Sequence, residues 1–462
     1  MPNRFKRFLF RNLALRFVDF AKKTHAVNSY HELMTTQWLT IDQFEDIQMK
    51  KLKKLLRHAY QKVPYYTKLF DERGLEPDHF QHFHDLLKLP VLTKKDVRAN
   101  FDLLQVQNNQ QYLPRQRQTS GSTGEPLIFN ADQSSHSSIW ASNWRAFSAG
   151  GFSLGEPIMT LSGGALMPRT TPLKQKIYAF CMNMLQLPAY HLSDEVIESY
   201  IAILRKRRNR SYLFAYASAA YLLARYLKQH RINDISFKVV FTTSEVLSFM
   251  QRTVIQETLN CSVYDTYGNN ETSLYAFECE HHNGLHYGME HSYLEVLDQN
   301  NQPVKAGETG RFIATNLLNY AMPLIRYDTG DLGSSTNDNC DCGRGLRKIN
   351  KILGRSRDFI LTPDGREIHG AFFNHFEPFY KTPWIAGWHV FQDKLDHITI
   401  SLRPDHTPQQ NDIDEIKQLL KRALGEDLRI DIVVDESLYI TPAGKQKVIE
   451  SPIAEQVLSR RS

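Results

Sequence analysis

The chain has 462 residues, with 56 Lys and Arg against 50 Asp and Glu and a formal net charge of +6. That length exceeds what one hydrophobic core serves, so more than one domain is expected, and 42% hydrophobic with 23% charged residues is the balance of a soluble globular enzyme. So mild a positive charge does not imply a nucleic-acid partner, and none is expected, no apolar run reaches the length of a membrane span, and five cysteines without scaffold spacing argue for a reducing cytoplasm.

Residues 4–18 mix basic and apolar side chains at roughly helical spacing. Arginines interrupt any apolar segment and no small-residue cleavage site follows, so this is not a signal peptide. Two readings stand: an amphipathic helix touching an anionic membrane surface, or a terminal helix packed on the body with snorkelling Lys and Arg stems. Packing is the favoured one. A single helix is expected over 44–66, where Ile47, Leu52, Leu55, Leu56 and Ala59 share one face. A loop and an N-capped helix follow around Thr93, then helices over 134–147, 196–207 and 216–229 and a buried strand over 237–243. Such alternation argues for an α/β core. Residues 295–297 and 310–315 read as strands of a β subdomain. A boundary is expected near 354–358, and beyond it a strand (397–402), a helix (412–423) and a strand (428–434) make a small α+β unit of about 100 residues.

Several short segments carry chemistry. Thr119-Ser120-Gly121-Ser122-Thr123-Gly124 places four hydroxyls and two glycines in six residues, which lets backbone N–H groups and hydroxyls surround a polyphosphate. It is not a Walker loop, because no Gly-Lys-Ser/Thr follows. Asp265-Thr266-Tyr267-Gly268-Asn269-Asn270-Glu271 ends on a carboxylate suited to magnesium. Further on stand Arg326-Tyr327-Asp328-Thr329-Gly330-Asp331, Leu353-Gly354-Arg355-Ser356-Arg357-Asp358 and Thr441-Pro442-Ala443-Gly444-Lys445. Cys279, His286, Cys340 and Cys342 would complete a tetrahedral structural zinc site, with His281 or His282 as alternatives to His286. Cys181 and Cys261 are read as core residues.

In this order the segments resemble those of the adenylate-forming superfamily of acyl-CoA synthetases, luciferases and adenylation domains. The resemblance runs over about residues 52–448 and is nearest to the phenylacetate–CoA ligase branch with its capsular-polysaccharide (CapK-like) and coenzyme F390 synthetase-like relatives. It implies an α/β fold: a large N-terminal adenylation domain of mixed sheets and helices with a β subdomain (1–356), and a small mobile α+β C-terminal domain (357–462). It further implies that Ser120, Gly121, Ser122, Thr123 and Gly124 grip the β- and γ-phosphates of ATP, with Thr123 among the catalytic groups. The lysine usual after such a loop is absent, since Glu125-Pro126-Leu127 stands there. Magnesium and Lys445 would carry more of the charge.

By the same resemblance Glu271 holds magnesium beside the α-phosphate, and Ser244, Glu245, Tyr267, Gly268 and Asn269 border adenine and the acyl group. Asp331 accepts both ribose hydroxyls, a task for a group with two acceptor oxygens and no donor. Arg355 contacts ribose or phosphate, Arg357 falls at the hinge where the family carries Asp or Lys, and Lys445 bridges the acid and the α-phosphate. Trp140, Trp144, Ser162-Gly163-Gly164 and Tyr216-Ala217-Ser218 are candidates to line the acyl pocket. The implied reaction joins a small-molecule carboxylate to AMP and then passes the acyl group to a thiol, most simply coenzyme A. The alternative acceptor is an amine or sugar in surface-polysaccharide synthesis, with the enzyme peripheral at the inner face of the membrane.

Overall fold

The computed structural model describes residues 7–107, 109–119, 127–163, 172–189, 192–207, 211–355, 358–382, 384–435, 447–454 and 456. Helices come first: residues 7–21 with a π-helical turn at Phe10–Ala14, then Ala26–Thr36, Ile41–Lys62 and Pro64–Glu72. The single helix expected over 44–66 is therefore two. Val63 is extended (φ −116, ψ 109) and Pro64 opens the second helix. Proline disfavours the α region for the residue before it, and its missing N–H is harmless at the first helical position. Thr40 and Thr93 each close a capping box, with Gln43 and Asp96.

Strands β1 (Arg115–Gln118) and β2 (Ile128–Ala131) form an antiparallel hairpin. Then β3 (Ile158–Ser162), β4 (Met184–Pro188), β5 (Tyr212–Tyr216), β6 (Val239–Thr243) and β7 (Ser262–Asn269) run parallel in the order β4-β3-β5-β6-β7. β3, β5 and β6 are buried along their whole length, as parallel strands covered on both faces must be. Phe214 and Phe241 pack on Phe147 of the helix Gln133–Ala149. Leu213 and Val240 point the other way, onto Ile201, Leu223 and Ile255. The sheet continues antiparallel through β8 (Leu274–Glu278), β9 (Leu285–Tyr287), β10 (Ser292–Leu297), β11 (Gly310–Asn316), β12 (Tyr327–Thr336) and β13 (Lys348–Arg355), in the order β7-β8-β9-β13-β12-β11-β10.

Beyond β13 the strands belong to other sheets. β14 (Phe359–Leu361) pairs with β15 (Glu367–His369). β16 (Ile385–Lys394), β17 (His397–Pro404), β18 (Arg429–Val434) and β19 (Ile449–Glu450) form a four-stranded sheet in the order β18-β17-β16-β19. The amphipathic helix Gln410–Leu424 covers it, and Trp388, Val390, Ile400, Leu420 and Ile430 make a core of their own.

Candidate active site and metal centre

In an open parallel sheet a crevice opens at the carboxyl ends of the strands where their order reverses. Here β4 lies on one side of β3 and β5 on the other. The reversal therefore faces Ser162 and Gly163 at the end of β3 and Tyr216, Ala217 and Ser218 at the end of β5. The Ser218 N–H donates to Glu245 Oε2 at 2.8 Å, which joins the segment after β6 to the same crevice. Ser244 is exposed and holds φ +70, a conformation uncommon for a residue with a Cβ. Val246 reaches to 3.8 Å of the position a Cβ on Gly354 would take, so this segment also borders the end of β13. Trp144 is not at the crevice: it packs edge-on against Tyr30 in the core, ring centroids 6.1 Å apart, because its helix turns that face toward the N-terminal helices.

The end of β7 meets β12 and β13. Tyr267 Oη donates to Asp331 Oδ2 at 2.6 Å, and Arg355 Nε lies 3.3 Å from Asp331 Oδ1. Burial and the Asp331 charge hold the Tyr267 hydroxyl protonated well above its usual range, so it remains a donor. The turn before Asp331 is built to present it. Gly330 holds φ +74, a position suited to glycine, and donates to Asp328 Oδ1 at 2.8 Å. Asp331 N–H donates to Thr329 Oγ1 at 3.2 Å, and Arg355 Nη1 to Thr329 O at 2.9 Å. Tyr267, Asp331 and Arg355, expected from separate motifs, thus meet at one point.

Glu271 is half-buried in the turn after β7. Burial pushes its carboxyl up, against the pull of Arg355. A carboxylate short of compensation in such a place fits a divalent cation. Its carbonyl accepts from Asn316 Nδ2 at 3.0 Å, and the same nitrogen reaches Ser273 Oγ at 3.2 Å. Asn319 Nδ2 donates to Asn130 O at 2.7 Å, while its Oδ1 accepts the Asp132 N–H at 3.1 Å. These two asparagines tie the β1–β2 hairpin to the Glu271 turn, and no motif singles them out. Asn269 shapes the same turn, its Oδ1 accepting from Thr272 N at 3.0 Å and Thr272 Oγ1 at 2.8 Å. Gly268 is exposed, and a Cβ there would stand 3.2 Å from the Tyr275 ring.

Ser120, Gly121, Ser122, Thr123, Gly124, Gly164, Arg357 and Lys445 lie outside the described residues. The stem of the Ser/Gly loop is described: Thr119 N–H donates to Leu127 O at 2.9 Å, and Leu127 N–H to Thr119 Oγ1 at 2.9 Å. Arg117, two residues before that stem, places Nη1 3.3 Å from His136 Nδ1. Burial and the neighbouring cations push His136 down to about 3, so it is neutral and accepts from Arg117. On the C-terminal side, burial pushes the Asp358 carboxyl up to about 6, against Arg355 and Lys447.

A second cluster lies on the antiparallel half. Cys279 follows β8, His286 is on β9, and Cys340 and Cys342 lie between β12 and β13. Their ligand atoms all fall within 4.8 Å of one another. Cys279 Sγ is 3.5 Å from Cys340 Sγ, and Cys342 Sγ is 3.3 Å from His286 Nε2. Tetrahedral zinc, with Zn–S of about 2.3 Å and Zn–N of about 2.0 Å, sets its ligand atoms roughly 3.5–3.8 Å apart, so the spacing fits. His286 Nδ1 donates to Leu346 O at 3.1 Å, which turns the Nε2 lone pair to the thiols, and burial keeps the ring neutral by pushing it down to about 4. His282 instead faces Glu278 at 3.0 Å.

Lys348, the register partner of His286, is buried, and its Nζ has no hydrogen-bond partner among the described residues. Three thiolates around a divalent cation leave one net negative charge, which this ammonium would offset. The cysteine loop also grips the N-terminal helices. Arg344 Nε donates to Gln37 Oε1 at 3.0 Å, its guanidinium lies 5.0 Å from the Trp38 ring centroid, and a Cβ on Gly345 would stand 1.8 Å from Leu39 O.

No protein-family profile matches the chain. A phenylacetate–coenzyme A ligase of Thermus thermophilus is 25% identical over 396 residues, covering 84% of this chain and 85% of the relative. Protein CapK of Staphylococcus aureus is 23% identical over 453 residues, covering 95% and 96%. A 2-hydroxyisobutyryl-CoA ligase in the postadenylation state superposes with a TM-score of 0.72 at 18% identity, over 90% of this chain and 91% of that one. The chain is a homologue of the phenylacetate–coenzyme A ligases, on the adenylate-forming ligase fold.

Against the same 2-hydroxyisobutyryl-CoA ligase in its thioesterification state the TM-score is 0.56. Asp405, just after β17, pairs with Arg225 and accepts from Gln229 Nε2 at 2.7 Å. Both partners are on the helix Ala217–Gln229, which holds the C-terminal sheet against the parallel half.

Proposed function

We propose that this ligase homologue activates a small carboxylic acid with MgATP and passes the acyl group to coenzyme A. In the first step an acid oxygen bonds to the α-phosphorus of ATP and the bond to pyrophosphate breaks. In the second the coenzyme A thiol, losing its proton, bonds to the acyl carbon and AMP leaves. One observation carries the reading: Tyr267, Asp331 and Arg355 meet beside Glu271, in a chain related over most of its length to phenylacetate–coenzyme A ligases.

In this mechanism Asp331 accepts the ribose hydroxyls while Tyr267 and Arg355 fix its carboxylate. Ser120, Ser122 and Thr123 donate to the β- and γ-phosphates from a loop anchored at Thr119 and Leu127. Arg117 supplies the cation that the residues after the loop lack. Glu271 would hold magnesium, whose charge offsets that of the phosphates. Lys445 would sit between the acid and the α-phosphate, easing repulsion between two anions as the bond forms. Residues 1–356 would be the adenylation domain and 357–462 a mobile unit turning near Arg357, so that one site serves two half-reactions. The crevice at Ser162, Tyr216 and Ser218 would take the acid. Cys279, His286, Cys340 and Cys342 would hold zinc with no open position, as a staple between strands. Dependence on ATP and coenzyme A would set the enzyme to work in the cytoplasm.

A second reading keeps the adenylation and replaces coenzyme A by an amine or sugar of surface-polysaccharide synthesis. It rests on the resemblance to capsular-polysaccharide relatives, and the chain matches Protein CapK over nearly its full length. The test is a panel of carboxylic acids, followed by titration of free thiol: acid-dependent AMP release with loss of coenzyme A thiol is expected. AMP release with the thiol untouched would transfer the case to the second reading.

A further inference from the structure

We infer that the N-terminal helix and the distant helix Pro172–Cys181 together form a docking surface for an anionic lipid bilayer. The inference goes beyond the ligase reading and does not rest on it. Eight of the seventeen large apolar side chains exposed among the described residues fall on these two helices. Phe8, Leu9, Leu13, Phe17 and Phe20 are on the first, with Phe20 83% exposed. Leu173, Ile177 and Phe180 on the second are 68%, 49% and 70% exposed. The last three follow at steps of four and three residues and so share one helical face, while Tyr178 and Cys181 turn inward.

The first helix is seated on the protein, which is the reading the sequence favours. Phe10 and Leu15 are buried, and the Phe10 ring meets Phe180 edge-on at 5.8 Å. Lys22 Nζ stands 3.8 Å from the Tyr178 ring centroid. A Cβ on Gly155 would come within 2.8 Å of Arg7 O, so the helix backbone lies directly on that turn. Each helix spends one face on the body and leaves an apolar face in water. Packing and surface contact are therefore two faces of one arrangement.

The charge around this face has one sign. Arg11, Arg16, Lys23, Lys174 and Lys176 are exposed. Asp19, the only acidic residue in either helix, is turned inward and caps the Ala26 and Val27 N–H groups at 3.0 Å. Glu156 nearby is paired with Arg7 at 3.4 Å. An apolar face with a cationic rim suits the boundary between acyl chains and anionic headgroups. A two-fold dimer through the same patch would bring basic rim against basic rim. No helix among the described residues is long and apolar enough to cross a membrane, so the surface would lie on the bilayer.

The test floats the full chain with vesicles of phosphatidylcholine alone and with vesicles holding about one third phosphatidylglycerol. Flotation with the anionic vesicles only is expected. Leu173→Glu with Ile177→Glu alters the second helix alone, at exposed positions away from the nucleotide site. It should cut the bound fraction about tenfold with an unchanged melting temperature, and Lys174→Glu with Lys176→Glu should remove the preference for anionic lipid. If the paired glutamates lower the melting temperature, the same positions changed to Ser give the reading. Absence of flotation, equal binding by the second-helix variants, or a dimer in light scattering that those variants dissolve would overturn the inference.

Discussion

Asp331 and Arg355 stand opposite each other on neighbouring strands, and the Tyr267 hydroxyl takes the carboxylate oxygen that Arg355 leaves. Each oxygen of a carboxylate has two acceptor positions. Among the described residues one position on each is filled, by Tyr267 and by Arg355, and the proposed ribose recognition would use the other two. The carboxylate is thus oriented without being used up.

Removing that carboxylate should cost nucleotide affinity. Two hydrogen bonds to a charged acceptor are lost, so Asp331→Ala should bind ATP about 100-fold more weakly, read by titration calorimetry. Tyr267→Phe keeps the ring and loses the orienting bond, for about a tenfold loss. Wild-type affinity in Asp331→Ala would remove ribose recognition from this residue.

Much of this arrangement was legible in the chain. The carboxylate, its arginine and the tyrosine each sit in a short motif, and β6, β17 and β18 show as apolar or alternating runs. β12 was not legible, because Gly330, Gly333, Ser334 and Ser335 break its apolar pattern. Its neighbours hold it: the register slips between Leu332 and Gly333, and a Cβ on Gly333 would stand 2.3 Å from Lys351 O. No motif singles out Asn316 and Asn319, yet they are fully buried and bridge two segments. Lys348 stands in none of the motifs, and the β9–β13 pairing brings it beside the cysteine cluster. Contacts of long sequence separation leave no local pattern.

The cysteine cluster should carry one zinc per chain, measurable by elemental analysis of the purified protein. Chelation should lower the melting temperature, since the cluster ties β8 and β9 to the loop that grips Gln37. Lys348→Met should weaken zinc 10- to 100-fold, about what loss of an outer-shell partner costs, in competition with a chromophoric chelator. A metal-free chain whose melting ignores the chelator would contradict the zinc reading.

Asp132 gives a pH signature. It is buried at the start of the helix Gln133–Ala149, accepting from Ser135 N–H at 2.8 Å and Tyr320 N–H at 2.9 Å, and burial pushes its carboxyl up to about 6. The folded chain keeps a proton there that the unfolded chain releases near pH 4 (about 3.9). This contribution to stability is full below that pH and is lost as pH rises toward 6. Asn also caps helices and cannot ionise. Asp132→Asn should therefore gain on the wild type between about pH 4 and 6, by on the order of 2–3 kcal/mol. Denaturant unfolding across that window gives the difference, and a difference that does not change with pH would refute it.

The Arg225–Asp405 pair should bias the C-terminal sheet toward its present position. Asp405→Ala removes a partly buried ion pair and the bond from Gln229, an effect of about 1 kcal/mol. Acid-dependent pyrophosphate exchange should fall about fivefold, with less effect on thioester formation from a supplied acyl adenylate. Equal losses in both half-reactions would show that the pair has no part in orientation.

The most direct measurement is exchange of labelled pyrophosphate into ATP across a panel of carboxylic acids that includes hexuronic and aryl acids. The account predicts exchange that depends on one class of acid and falls about 100- to 1,000-fold in Lys445→Ala, while that variant still binds ATP. Exchange undiminished in Lys445→Ala, or ATP converted to ADP in place of AMP, would contradict it.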